Sequence, residues 1–534
     1  MSRLLSASLA LGLLVATVSI TSCRKDKLKS QWDLNVLAPL AKTTLTIRDL
    51  MPDSILSADA QGNVSILYTT ELFSLALDTV LTAPDTSFRY AYALPFPGPV
   101  PFQPGATFNT SDDVTRFDLE DLQLTELIVR SGQVDVAITS MMNGNIIGDF
   151  ALPGASLNGV PFHLEQLIPP GTPTAPSTVM SGRPLDGYVF DMRGPDHDDV
   201  NSLATHISYS NSPDGTIITI TDQDSLLATV SYYDIIPQYA TGSFGTRIIT
   251  VDPASTELDL FTNISGTLDL DQVSASVKLR NGIGVDARAN IHYIRSQNTT
   301  TGNNVDLVGS ITSGPVNIDR ALDLGTGSQS ALNTFNLDQG NSNIDLFLEN
   351  LPDRIGYALD ITINPLGNIS NGHDFLYHDS KLIAEMEVDI PLRLIATDLT
   401  LGKTVSLDLP GNAEAHAWQS GTLHLFAVNG FPFSANIEVA VVDHSGQVLA
   451  NLSPGGTVAA GNLGADGFVS SSTTSHVDLE VSPAQMDLLH QTGTVRITAI
   501  FNTADQAQHV QLLDHYSMEL QVTMNGNYIV NGDE

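Results

Sequence analysis

The residues best placed for chemistry are carboxylates and histidines. Gly194-Pro195-Asp196-His197-Asp198-Asp199 puts three carboxylates within four positions beside a turn. Ca²⁺ takes oxygen ligands from irregular loops, so Asp196, Asp198 and Asp199 form a candidate calcium site. No spaced calcium motif is completed there, and an acidic protein has acidic loops in any case. Asp222 and Asp224 make a smaller pair. His373 and His378 flank Asp374 and precede Asp379, the densest His/Asp cluster. Five positions apart on a strand, the two histidines face opposite sides and read as solvated polar residues. There is no Gly-x-Ser-x-Gly elbow, no His-Glu-x-x-His pair and no phosphate-cradling glycine loop. A glycosidase pair cannot be picked from 59 acidic residues without distances. The reading therefore leans away from an enzyme, with no catalytic residue and no cofactor beyond that calcium.

The only cysteine, Cys23, stands at the end of residues 4–20, an apolar run diluted by Ser, Gly and Thr and preceded by Arg3. This suits a signal-peptide core better than a spanning helix, which needs about 20 strongly apolar residues. Ile20-Thr21-Ser22-Cys23 resembles the lipobox of bacterial lipoproteins. The resemblance implies cleavage before Cys23 and acylation of its thiol, the nucleophile that accepts lipid. An incidental thiol after an ordinary signal, or a retained anchor stopped by Arg24 and Lys25, fits the short run less well. With Cys23 acylated, the chain has no cysteine for a disulfide or a soft metal. Residues 24–30 (RKDKLKS) read as a short basic tether.

Charge narrows the partners. The chain carries 59 acidic against 23 basic side chains, a net charge of −36. Beyond Lys42, lysine recurs only at Lys278, Lys381 and Lys403, so neutralising a phosphate backbone is excluded and nucleic acid is not a partner. The expected partners are the membrane, through the N-terminal lipid, and an unidentified protein or glycan.

The elements that must position these residues read as mainly β: several antiparallel β-sandwich-like modules in series, with few short helices. Proline-rich stretches at 94–105 and 169–184, and a weaker break at 410–412, mark linkers or covering loops. Together with composition they suggest a signal peptide at 1–22, a tether at 23–30 and an N-terminal β region at 31–105. Modules follow at 106–258 and 259–412, and a C-terminal sandwich at 413–534. Four hairpins are expected, turning at Asn143-Gly144, Asn281-Gly282, Asn350-Leu351-Pro352 and Asn429-Gly430. Three carry a preceding Ser-Gly, at 131–132, 265–266 and 420–421, at unequal spacing. That is a loose echo which leaves internal duplication open. One helix is predicted over 482–491, capped by Ser482, with Pro483 at its first position, Gly493 past its end and Met486, Leu488 and Leu489 on its buried face.

Asn429-Gly430-Phe431-Pro432-Phe433, the segment 435–449, Val477-Asp478-Leu479, Phe501-Asn502-Thr503 and residues 32–50 together resemble large uncharacterised lipoproteins of Bacteroidota. That resemblance carries no activity. Surface-displayed lipoproteins of that phylum often have acidic residues after the cysteine. Here Arg24, Lys25 and Lys27 surround Asp26, which leaves surface and periplasmic faces both open. The expectation is a lipid-anchored envelope protein, held at the outer membrane and acting as a non-enzymatic scaffold or interaction module. The alternative is a glycan-binding or glycan-degrading component of nutrient uptake. Glycan platforms are sparse, because the tryptophans are only Trp32 and Trp418; Trp418, in HAWQSG at the entry to the last strand pair, reads as a core or inter-domain residue, and Tyr90, Tyr92, Tyr232 and Tyr233 suit strand packing equally well. An apolar-ligand carrier is a further possibility, since paired strands could enclose a groove.

Overall fold

The computed structural model describes residues 31–49, 54–76, 83–93, 98–261, 264–407, 409, 416–465 and 467–531. The signal peptide, Cys23 and the tether lie outside them. Strands dominate because the sequence alternates. Thr494–Thr503 buries Val495, Ile497, Ala499 and Phe501 and turns Arg496, Thr498 and Asn502 to the opposite face.

In chain order the main strands begin with β1 (Gln31–Thr46) and β2 (Val64–Leu75). Eight longer strands follow: β3 (Thr86–Ala93), β4 (Thr107–Arg116), β5 (Gln123–Ser140), β6 (Ile146–Leu157), β7 (Val160–Ile168), β8 (Ser177–Pro184), β9 (Ser202–Asn211) and β10 (Ser225–Ser243). Next come β11 (Arg247–Glu257), β12 (Ser274–Asn281), β13 (Ala287–Gln297), β14 (Asn304–Asp306), β15 (Val316–Ile318), β16 (Ala331–Asp338), helix α1 (Ile344–Glu349), β17 (Arg354–Ile363) and β18 (Leu382–Pro391). The chain closes with β19 (Arg393–Ser406), β20 (His416–Asn429), β21 (Phe433–Val442), β22 (Val448–Val458), β23 (Thr473–Val481), helix α2 (Pro483–Thr492), β24 (Thr494–Thr503) and β25 (Ser517–Asn531).

Pairing sorts these strands into three sandwiches of one topology. An inner module has layers β3-β10-β5-β8 and β7-β6-β9-β4, joined by the short strand Val189–Asp191, which pairs with both β5 and β6. A middle module has β2-β18-β12-β16 opposite a sheet in which β13 lies between β17 and the short pair β14 and β15, with β11 at the far edge. An outer module has β1-β25-β20-β23 and β22-β21-β24-β19, joined where β22 meets β23 at Ser453↔Glu480. Counting strands one to eight within each module, the order is 1-8-3-6 over 5-4-7-2, the two-Greek-key order of a jelly roll. The names follow the chain: the inner module lies wholly between the first and second strands of the middle one. The middle module lies in turn between the first and second strands of the outer one. Consequently β1 pairs antiparallel with β25 from Gln31↔Asn531 to Thr46↔Ser517. The chain forms two compact units, one holding the outer module and the other the inner and middle modules.

Mainly β sandwich modules with few short helices are what the pattern predicted, but the strands are drawn from across the expected limits at 105, 258 and 412. Composition marks linkers, not which distant strand completes a sheet. The four hairpins also need correction. Strands β5 and β6 do not pair, nor do β12 and β13, nor β20 and β21. Each pair is a crossover from one sheet to the other, because both strands bury a face that must meet across the sandwich. Thus a Cβ on Gly148 of β6 would sit 2.7 Å from Ile138 Cδ1 of β5. The fourth segment, Ile344–Glu349, is α1, since Ile344, Phe347 and Leu348 recur at helical spacing and are all buried. The proline-bounded stretch at 169–184 holds β8, an edge strand that tolerates Pro184 at its end. In the stretch at 94–105, Val100–Phe102 pairs with Ile218–Ile220. Helix α2 forms where predicted: Ser482 and Gln485 form a capping box, Gly493 closes it at φ 60°, and Met486 and Leu489 are buried, while Leu488 is only half-buried.

One polar residue anchors each crossover: Ser140, Asn281 or Asn429, the last residue of the third strand and 0–1% exposed. The next residue's N–H donates to a carbonyl at the start of the eighth strand: Met141 to Ser225 (3.1 Å), Gly282 to Lys381 (2.8 Å), Gly430 to Ser517 (2.9 Å). The N–H after that donates back to the anchoring side chain, at 3.1, 2.9 and 2.9 Å. Its carbonyl accepts from Gly171, Ala321 or Gly461 at 2.7, 3.0 and 2.8 Å. The echo in the sequence is therefore a threefold structural repetition. Measured from the true anchor, Ser131-Gly132 and Ser420-Gly421 each lie nine and eight residues upstream. At Gly421 a Cβ would come within 2.4 Å of the Asn525 carbonyl oxygen, so only glycine lets the neighbouring strand approach.

Candidate functional site

The predicted calcium residues are not gathered into a ligand set. Asp199 accepts from Ser202 Oγ (2.7 Å), the Val200 N–H (2.9 Å) and Arg116 Nη2 (3.0 Å). Those donors, Ser202 foremost, hold its carboxyl below the usual range. Asp196 and Asp198 are exposed, while His197 and Arg193 both turn to Asp191, at 2.9 Å and 2.8 Å. Arg116 already pairs with Asp199 and Arg193 with Asp191. The His/Asp cluster is likewise structural: Asp374 is fully buried and accepts from the Phe244 N–H (3.0 Å) and Asn364 Nδ2 (2.7 Å). Nearby, the Tyr239 and Tyr377 hydroxyls both donate to Asp323, at 2.8 and 2.7 Å. Burial, then that carboxylate, pushes the Tyr377 phenol up to about 12. Trp418 is in the core, as its sequence setting suggested.

The outer module holds a cavity of about 380 Å³ between its sheets. Leu45, Leu399, Phe431, Phe433, Phe501 and Leu520 make its walls, and Thr43, Thr46, Asp49 and Lys403 supply its polar part. Lys403 Nζ donates to Asp49 Oδ1 at 2.7 Å. Burial opposes ionisation of Asp49, but Lys403 and the Thr46 donors outweigh it and leave its carboxyl below the ordinary value. A pocket of this size, apolar with few convergent polar groups, has the character of a small-ligand site. A roomier groove of about 570 Å³ in the middle module is an open surface feature rimmed by Asp338, Glu387 and Asp389.

The inner module shows why the cavity exists. Its eighth strand opposes Tyr92 to Leu226 and Tyr90 to Ala228; the outer module opposes Leu45 to Met518 and Thr43 to Leu520. Leu226 and Met518 are equivalent, since each faces its own crossover anchor, Ser140 or Asn429. Tyr92 and Tyr90 thus occupy the places that Leu45 and Thr43 take in the outer module. Tyr92 packs edge-on against Tyr209 at 5.8 Å and donates to Asp113 at 2.7 Å, and Tyr90 bonds Thr115. Phe501 stands where Tyr209 does, two residues before the end of the seventh strand. Two tyrosines fill one sandwich, and smaller residues leave the other hollow. A pocket in the inner module, between Phe117, Leu127 and Tyr232, measures about 40 Å³.

Among the described residues, one group of three metal-ligating side chains converges: His424, His476 and Asp478 on the outward face of β20 and β23. Part of it was legible, because His476 and Asp478 are two apart on a strand and so share a face. His424 lies over fifty residues away and joins them only through the register His424↔Asp478.

No protein-family model and no curated protein matches the chain. Among solved structures, a "putative secreted protein" from Parabacteroides distasonis is similar at 10% identity, over 95% of this chain and 100% of that one, with a TM-score of 0.28. The Broad Bean Stain Virus structure is similar at 11% identity, over 55% of this chain and 90% of that one, with a TM-score of 0.13. Neither likeness assigns a fold or a function to this chain.

Proposed function

We propose that this is a lipid-anchored envelope protein whose outer module binds a small apolar ligand between its sheets. The observation that carries the binding role is the 380 Å³ cavity at the place where the inner module is filled by Tyr90 and Tyr92. A chain able to close the sandwich with two tyrosines in one module, yet using Thr43 and Leu45 in another, keeps apolar volume that costs stability when empty. The Lys403–Asp49 pair at the polar part suits an amphiphile with one acyl chain, whose anionic head would compete with Asp49 for the ammonium.

Native mass spectrometry of the full chain carrying Cys23→Ala, purified without detergent, should show a bound apolar molecule, and a medium-chain fatty acid should bind with 1:1 stoichiometry. Thr43→Tyr should abolish that binding while the fold persists. Binding unchanged in Thr43→Tyr, or none with Thr43 in place, would sink the reading. Anchoring is tested separately: Cys23→Ala should move the protein from the membrane to the soluble fraction, and full membrane retention would refute lipidation.

A further inference from the structure

We infer that His424, His476 and Asp478 form a surface site for a divalent transition-metal ion of the zinc class. Asp478 Oδ1 lies 2.6 Å from His424 Nδ1 and 2.9 Å from His476 Nε2, and the two ring nitrogens are 3.3 Å apart. All three ligand atoms converge on one point. Without a metal, both rings must present an N–H to the same carboxylate oxygen, which sets two N–H dipoles against each other. A cation replaces both hydrogens and removes that conflict. Zn²⁺ bonds at about 2.0–2.1 Å with tetrahedral angles put ligand atoms about 3.3 Å apart, a spacing the two ring nitrogens already have; Asp478 Oδ1 would withdraw by about 0.7 Å from His424 Nδ1 and about 0.4 Å from His476 Nε2. Two imidazoles and a carboxylate, with open positions toward solvent, suit Zn²⁺ or Cu²⁺ and not the all-oxygen preference of Ca²⁺ or Mg²⁺.

Two further observations point the same way. Phe426 stacks on the His476 ring at 4.5 Å and 7°, fixing its plane. On the other side of His424, its partner Thr523 has a buried hydroxyl with no hydrogen-bond partner. The repeated fold supplies an internal control. The position of His424, five residues before the crossover anchor, is Asp135 in the inner module and Ser276 in the middle one. Their cross-strand partners are Gly182 and Asn336. The place of His476 is taken by Met180 and Thr334. The sandwich does not demand histidine at these positions, so the constellation belongs to the outer module alone.

Calorimetric titration of the metal-stripped full chain with Zn²⁺ should show saturable binding of one ion at this site. His476→Ala and Asp478→Asn should each weaken it at least about tenfold, whereas His163→Ala, removing a two-residue His163–Asp149 contact elsewhere, should not. Co²⁺ should give the visible absorption of a tetrahedral site in the native chain and lose it in His424→Gln. His163, His476 and Asp478 are exposed and His424 is part-covered on the outward face, and thermal melts without metal should coincide with the native chain. Absence of saturable Zn²⁺ binding, equal affinity in the site variants, or Ca²⁺ binding there as tightly as Zn²⁺ would each overturn the inference.

Discussion

The inner and outer modules are the same eight-stranded sandwich solved in two ways. Both cross between sheets on a buried polar side chain whose oxygen accepts the N–H two residues on. In the inner module the anchor is a serine that makes this one bond. In the outer module Asn429 adds two more, from Nδ2 to the carbonyls of Phe433 (2.8 Å) and Ala459 (2.9 Å). The interiors diverge in the opposite sense. The inner module is packed with aromatic rings, and the outer module is braced at its crossover but hollow between the first and seventh strands. Topology is thus set by a few backbone and anchor bonds, while interior side chains are free to fill the space or leave it open.

The comparison can be broken most severely at the anchors. Asn429→Ala strands two buried carbonyls and an N–H, and should destabilise the outer module by about 3–4 kcal/mol, against about 1–2 kcal/mol for Ser140→Ala in the inner module. Urea unfolding followed by hydrogen exchange within each module measures both, and equal costs would show that the extra asparagine bonds contribute nothing. Next in size, Tyr92→Leu makes the inner module imitate the outer. It should cost about 2–3 kcal/mol through the cavity it opens, and should admit an apolar probe where none bound before. The converse, Thr43→Tyr, should raise the outer module's stability by about 1 kcal/mol as it removes the ligand site; destabilisation would mean the walls cannot accept a ring. The smallest effect is electrostatic. Asp49 sits below its ordinary value of 3.8 when folded, so its contribution is fully present above that value. It is lost as pH falls through the lower folded value. The stability difference between the native chain and Lys403→Met should therefore shrink on acidification. A difference constant down to strongly acidic pH would show that the ion pair does not act on stability.

Much was legible without coordinates. Alternation along 495–501 marks a half-buried strand, because successive side chains of a strand must face opposite sides. Ser482, Pro483, Gln485 and Gly493 delimit α2, since helix ends need local partners for their free N–H and C=O groups. The scarcity of lysine and the character of residues 4–23 are likewise properties of the chain alone. Asn281 and Asn429 stood out as special, and they are, but as crossover anchors. Asn-Gly announces a change of direction, and whether the returning strand pairs or crosses depends on which faces are apolar. Both faces are apolar-in here, so the strands pack and do not pair.

Strand, turn and cap are local, each fixed by forces acting within a few residues. Which distant segments meet is settled only when the chain folds. The nesting that pairs Gln31 with Asn531, the substitution of Thr43 and Leu45 for Tyr90 and Tyr92, and the meeting of His424 with Asp478 all depend on register between strands tens to hundreds of residues apart. Register follows from burying apolar faces across the whole sandwich, an energy no short window of sequence contains.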